Sequence, residues 1–173
     1  MRNAKGVSLV EMLATLAIVC IVAGLGLPAF RSTLERQRCH AAVNLLAATL
    51  AHARNTAITR GMSISVCPLR EDGMCGGTID WSGGWITYAD PSHERQPRSQ
   101  PAILAITPQP VHSSVSVTSS TGRLLVRFLK DGRSGGSNIR FRVCSDGRIQ
   151  GEVIVNNLGR IRTLKTPGIQ ACP

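Results

Sequence analysis

The chain has 173 residues and a formal charge of +10; 43% of its residues are hydrophobic and only 3% aromatic. That length leaves room for one domain plus one special segment, and the scarcity of aromatics argues against a stacking platform for single-stranded nucleic acid. The charge is polarised, at +5 over residues 1–66, −2 over 67–120 and +7 over 121–173. A basic C-terminal region points either to an anionic partner (nucleic acid, lipopolysaccharide or an acidic protein) or to a solvated face.

Arg2 and Lys5 open the chain, and residues 12–30 carry no charge. A run of that length covers about 28 Å as a helix, close to the hydrocarbon core of a bilayer. It is too long for the apolar core of a secretory signal, and no small-residue cleavage site follows it. The run therefore reads as a retained anchor, with its start in the cytoplasm and the remainder in the periplasm. Arg31, Arg36 and Arg38 follow it and weaken that charge bias. Glu11 is the odd residue, because a carboxylate in a membrane helix is costly unless it is paired or stays wet at the interface.

Glu11 belongs to Lys5-Gly6-Val7-Ser8-Leu9-Val10-Glu11-Met12-Leu13, which resembles the prepilin cleavage motif of type IV pilins and type II secretion pseudopilins. The resemblance implies a leader of residues 1–6, cut by the prepilin peptidase between Gly6 and Val7, and N-methylation of Val7. Val7 departs from the Phe that most members carry there. Glu11 falls on the family's Glu, which the resemblance implies pairs with the amine of a neighbouring subunit. The pairing is physically sensible, since each buried charge offsets the other and fixes register. Pro28 falls where many pilins carry a helix-kinking proline.

Residues 7–30 are thus expected to form the transmembrane helix and 31–60 its amphipathic continuation, about 80 Å in all. Leu34, Leu46, Leu50, Ala53 and Ala57 mark one apolar stripe, and Gly61 ends the helix. Short β segments are expected over 62–69, 85–88, 102–106, 115–118, 124–129, 139–144, 152–156 and 160–164. They are separated by turn signals at Asp72-Gly73, Asp131-Gly132, Asp146-Gly147 and Asn157-Leu158-Gly159. The fold class is α+β: a long N-terminal helix packed on a mostly antiparallel β head of residues 61–173.

Six cysteines occur. In an exported head Cys67, Cys75, Cys144 and Cys172 read as disulfide candidates, with three possible pairings. A zinc site is the rival; no C-x-x-C is present and His40, His52, His93 and His112 are scattered. No metal or cofactor is expected. Cys20 lies in the apolar helix and is read as unpaired, and Cys39 is left unassigned.

The head carries Cys67-Pro68, Phe128-x-x-Asp131-Gly132-Arg133 and Val155-Asn156-Asn157-Leu158-Gly159-Arg160-Ile161-Arg162. With the N-terminus, these resemble the GspH/FimT group of minor pilins, and the Gly-Arg-x-Arg points to the FimT-type members. The resemblance implies DNA uptake in natural transformation, other pilins or pseudopilins as partners, and inner-membrane lipid before assembly into a pilus or pseudopilus. A GspH-type structural pseudopilin of type II secretion is the alternative.

The residues support DNA contact independently. On an extended strand Arg160 and Arg162 project to one side about 6.5–7 Å apart, near the spacing of successive phosphates. Each guanidinium offers a bidentate fork. Arg140 and Arg142 repeat the spacing, Arg148 and Lys165 adjoin, and Gly159 permits a tight turn and a close approach. Double-stranded DNA would be bound through its phosphates, without sequence reading. The bland counter-reading is an edge strand whose arginines discourage aggregation. No G-x-S-x-G, P-loop or H-E-x-x-H occurs, so the chain reads as a non-enzyme.

Overall fold

The computed structural model describes residues 6, 8–108, 112–166, 168 and 170–172, and within the helix it omits the side chains of residues 25–29. Helix α1 spans Leu9–Arg60. Eight strands follow: β1 (Ile64–Pro68), β2 (Gly84–Ala89), β3 (Ile103–Pro108), β4 (Val115–Ser119), β5 (Val126–Phe128), β6 (Ile139–Ser145), β7 (Arg148–Val155) and β8 (Ile161–Lys165). The chain divides into two compact units, Met1–Glu35 and Arg36–Pro173.

The first unit is helical from Leu9. Its described apolar side chains, among them Leu9, Leu13, Leu16, Ile18, Val22 and Phe30, are all exposed. Among the described residues no helix is long and apolar enough to cross a membrane. The expected span of residues 7–30 takes in Val7 and the side chains of residues 25–29, which lie outside them. The expected N-methylation site, Val7, and the side chain of Pro28 are outside them for the same reason.

In the second unit the helix buries Cys39, Ala42, Val43, Leu46, Leu50, Ala53 and Ala57, a 3.6-residue stripe. The expected stripe differs at one end: Leu34 is exposed, and Cys39, left unassigned by sequence, is a core residue. Gly61, at φ 63°, stops the helix with a conformation that a side chain would disfavour.

Two antiparallel four-stranded sheets pack on that stripe, in the orders β3-β2-β1-β5 and β4-β6-β7-β8. Ile64, Val66, Trp85, Val126 and Phe128 from the first sheet, and Val117, Phe141, Val143, Val153 and Val155 from the second, share one core with the helix. The fold is the expected α+β arrangement. Strand β7 begins at Arg148, four residues before its expected start, because Gly151 is a strand residue and not a break. A Cβ there would lie 2.8 Å from Val43 Cγ2, so glycine lets the helix approach the strand. The β6–β7 turn has both central residues at positive φ, Asp146 at 55° and Gly147 at 69°, as a two-residue hairpin with the natural strand twist requires.

The two sheets differ on their outer faces. Strands β1 and β2 are buried on both sides almost throughout. The loop closed by the Cys67–Cys75 disulfide and the loop after β2 are knitted together over the first sheet. Gln96 bridges the backbone N–H and carbonyl of Cys75. Buried Asp90 accepts from Ser65 Oγ at 2.6 Å and Arg127 Nε at 2.7 Å. The second disulfide, Cys144–Cys172, straps the C-terminal segment beside β7, where Ile149 N–H donates to the Gln170 carbonyl at 2.9 Å. Among the described residues the second sheet has no such cover along β8, whose residues are exposed from Arg162 to Lys165.

Candidate nucleic-acid interface

Strand register decides which basic residues meet. Val153 and Val155 face the core, so by alternation Glu152 and Ile154 face outward. Ile154 pairs with Arg140 on β6 and Arg162 on β8. Glu152 pairs with Arg142 and Leu164. Arg140 and Arg162 therefore flank Ile154 in one row across three strands, about 10 Å apart at the backbone. Arg142 stands in the next row. Arg160 precedes β8 by one residue and by alternation shares the side of Arg162.

Glu152 sits inside this basic face, and nothing in its local sequence marks it. Its carboxylate accepts from Arg140 at 2.7 Å and lies 3.7 Å from Arg142. The side chain is only 8% exposed, against 46% for Arg140, because the arginine stems lie over it. Arg140 and Arg142 are thus anchored by a shared anion. Arg160 and Arg162 are exposed and make no ion pair with any described residue. The face keeps a net charge of about three, from four guanidiniums against one carboxylate.

The turn before β8 is rigidly built. Asn156 Oδ1 accepts from the Arg160 N–H at 2.8 Å, and the Gly159 N–H donates to the Asn156 carbonyl at 2.9 Å. Gly159 has φ 76°, and a Cβ on it would fall on the carbonyl oxygen of Gly132. The close approach that sequence assigned to this glycine is taken up inside the protein, where it sets the position of Arg160. Arg54 of α1 completes the corner, its Nε donating to the same Gly132 carbonyl at 2.9 Å.

Arg148 and Lys165 are placed elsewhere. Arg148 pairs with Ser145 at the opposite end of β7, about 20 Å along the strand from the Ile154 row. Lys165 pairs with Gly151, whose Cα position faces the helix, so alternation puts it on the other side of the sheet from Arg162. All five aromatic side chains of the head, Trp81, Trp85, Tyr88, Phe128 and Phe141, are fully buried. Among the described residues no group of three or more His, Cys, Asp or Glu is placed to hold a metal ion.

Residues 42–159 match the family described as Type II transport protein GspH. The chain belongs to the GspH family. Residues 1–27 match the prokaryotic N-terminal methylation motif. Solved structures similar to this GspH-family chain include those of two minor subunits. One is the type IV minor pilin FimU of Pseudomonas aeruginosa, at 19% identity and TM-score 0.59 over 80% of this chain and 95% of that one. The other is the minor pseudopilin EpsH of the Vibrio cholerae type II secretion system, at 11% identity and TM-score 0.53 over 75% and 95%. Both share the fold. No curated protein matches the sequence. The chain is a structural subunit of the pilin and pseudopilin class, not an enzyme.

Proposed function

We propose that this GspH-family chain is a minor pilin of a type IV pilus that binds double-stranded DNA without reading its sequence and supports DNA uptake in natural transformation. Arg160 and Arg162 make the principal phosphate contacts and Arg140 and Arg142 support them. Gly159 sets the turn that presents the pair. Arg148 and Lys165, farther off, add to the field more than to the contact row. The observation that carries the reading is the uncovered outer face of the second sheet, with four arginines in adjacent rows against one carboxylate. Burial of every aromatic in the head leaves no stacking surface there, which favours duplex phosphates over single-stranded bases.

In this account the prepilin peptidase cuts after Gly6, Val7 is methylated, and residues 7–30 hold the chain in the inner membrane with the head in the periplasm. Glu11, exposed in the isolated chain, pairs with the N-terminal amine of a neighbouring pilin on assembly. The uncompensated apolar surface of residues 9–22 is what lipid, and then other helices, would cover.

Two to four phosphate contacts give weak binding, on the order of micromolar, and repeated presentation along a fibre compensates. The test is DNA binding by the full chain in neutral detergent, with lipopolysaccharide as competitor, for the native protein and the Arg160→Gln, Arg162→Gln double variant. Loss of DNA binding with an unchanged melting temperature supports the proposal, and unchanged binding removes it. The matched family's description favours a second reading, a structural pseudopilin of type II secretion. A deletion strain that secretes normally but fails to transform decides for the first.

A further inference from the structure

We infer that the DNA-binding surface does not end at β8 but continues onto the turn between β5 and β6, where Lys130 and Arg133 form its second half. This rests on the DNA-binding reading above and adds residues to it. The sequence singles out Asp131-Gly132-Arg133 only as a turn signal and a family mark. In the structure that turn touches the turn bearing Gly159. Gly132, at φ 79°, and Gly159, at φ 76°, face each other, and a Cβ on the latter would strike the Gly132 carbonyl. The Ser134 N–H donates to the Asn157 carbonyl at 3.0 Å, and Arg54 Nε holds the Gly132 carbonyl from the helix side. The glycine pair is therefore a contact between two loops remote in sequence, and it holds the backbone of Arg133 near that of Arg160. One residue step on each side of that contact puts their Cα atoms within about 13 Å, less than three phosphate steps.

The charges suit the role. Lys130 and Arg133 are exposed and have no ion-pair partner among the described residues. Asp131 is the opposing charge in the turn, and its Oδ1 is occupied by the Arg133 N–H at 3.0 Å. Lys130, Arg133, Arg160 and Arg162 against Asp131 leave a net charge of about three across the corner. The ligand is the phosphate backbone of a duplex long enough to cross both turns. Neither side chain is buried, so removing them leaves the core intact.

The experiment is a salt titration of duplex DNA binding by the full chain in detergent. It compares native protein with Lys130→Gln/Arg133→Gln, with Arg160→Gln/Arg162→Gln, and with Arg70→Gln as a charge control at the opposite end of β1. If both turns contact phosphate, the first variant lowers the slope of log K against log salt by about 1.8 and weakens binding on the order of tenfold per lost contact at 0.1 M salt. Arg70→Gln leaves the slope unchanged. A slope for Lys130→Gln/Arg133→Gln equal to that of the native protein overturns the extension while leaving the β8 site standing. Native binding by Arg160→Gln/Arg162→Gln overturns the underlying reading instead. A loss from Arg70→Gln half that of Lys130→Gln/Arg133→Gln, one charge against two, shows a general charge effect, which also overturns the extension.

Discussion

Glu152 on β7 accepts a 2.7 Å hydrogen bond from Arg140 on β6, in the middle of an otherwise basic sheet face. One carboxylate thus holds two guanidiniums, because Arg142 approaches the other oxygen at 3.7 Å. Replacing it with Gln keeps the shape, removes the shared anion and raises the net charge of the face by one. Glu152→Gln is expected to tighten DNA binding and steepen its salt dependence. It should also lower stability by about 1–3 kcal/mol, the penalty for a lost partner at a nearly buried site. Anisotropy titrations and urea denaturation of the same preparation measure the two effects.

Gly159→Ala adds a methyl group where the Gly132 carbonyl already sits, at a φ that disfavours side chains. The backbone conformation alone accounts for about 1–3 kcal/mol of lost stability, and the collision adds to it. Because Arg160 follows directly, DNA affinity should fall as well, even though no charge is removed. Urea denaturation gives the first quantity and equilibrium binding the second.

Leu46 is fully buried where the helix meets both sheets. Leu46→Ala should cost roughly 2–5 kcal/mol, read as a lower urea midpoint. Leu45→Ala, one residue away and 39% exposed, should stay within about 0.5 kcal/mol.

Tyr88, the one tyrosine in the chain, is pushed up to about 12, chiefly by burial and secondarily by the nearby Asp90 charge. Its hydroxyl donates to the Glu94 carbonyl at 3.1 Å. A folded-state value above the ordinary value of about 10 means the neutral phenol stabilises the fold. That contribution is complete below pH 10 and is lost as pH rises toward about 12. Phenolate absorbance reads this residue alone and should appear near pH 12 in folded protein. Tyr88→Phe should remove that stretch of alkaline destabilisation.

Features written in local sequence were legible in advance. The Asp146-Gly147 hairpin is an example, since its two positive φ values demand those residue types. The core stripe at Leu46, Leu50, Ala53 and Ala57 is another, because helix periodicity shows which positions share a face. The start of β7 was hidden because Gly151 resembles a strand breaker, and only its contact with Val43 explains it. The basic face was half legible. The two-residue spacing of Arg160 and Arg162 shows in sequence, but the register that sets Arg140 beside Glu152, and carries Arg148 and Lys165 away, belongs to strands paired from separate segments. The contact of Gly132 with Gly159 is equally non-local, so neither glycine announces its partner.

The most direct measurement is the slope of log K against log salt for duplex DNA and the full chain, with and without Arg160→Gln/Arg162→Gln. Two to four phosphate contacts at the β8 face contribute about −1.8 to −3.6 to the native slope, to which Lys130 and Arg133 add about −1.8, and the double variant should lose about 1.8 of the total or cease to bind. A native affinity indifferent to salt, or a variant whose slope matches the native one, would contradict the account.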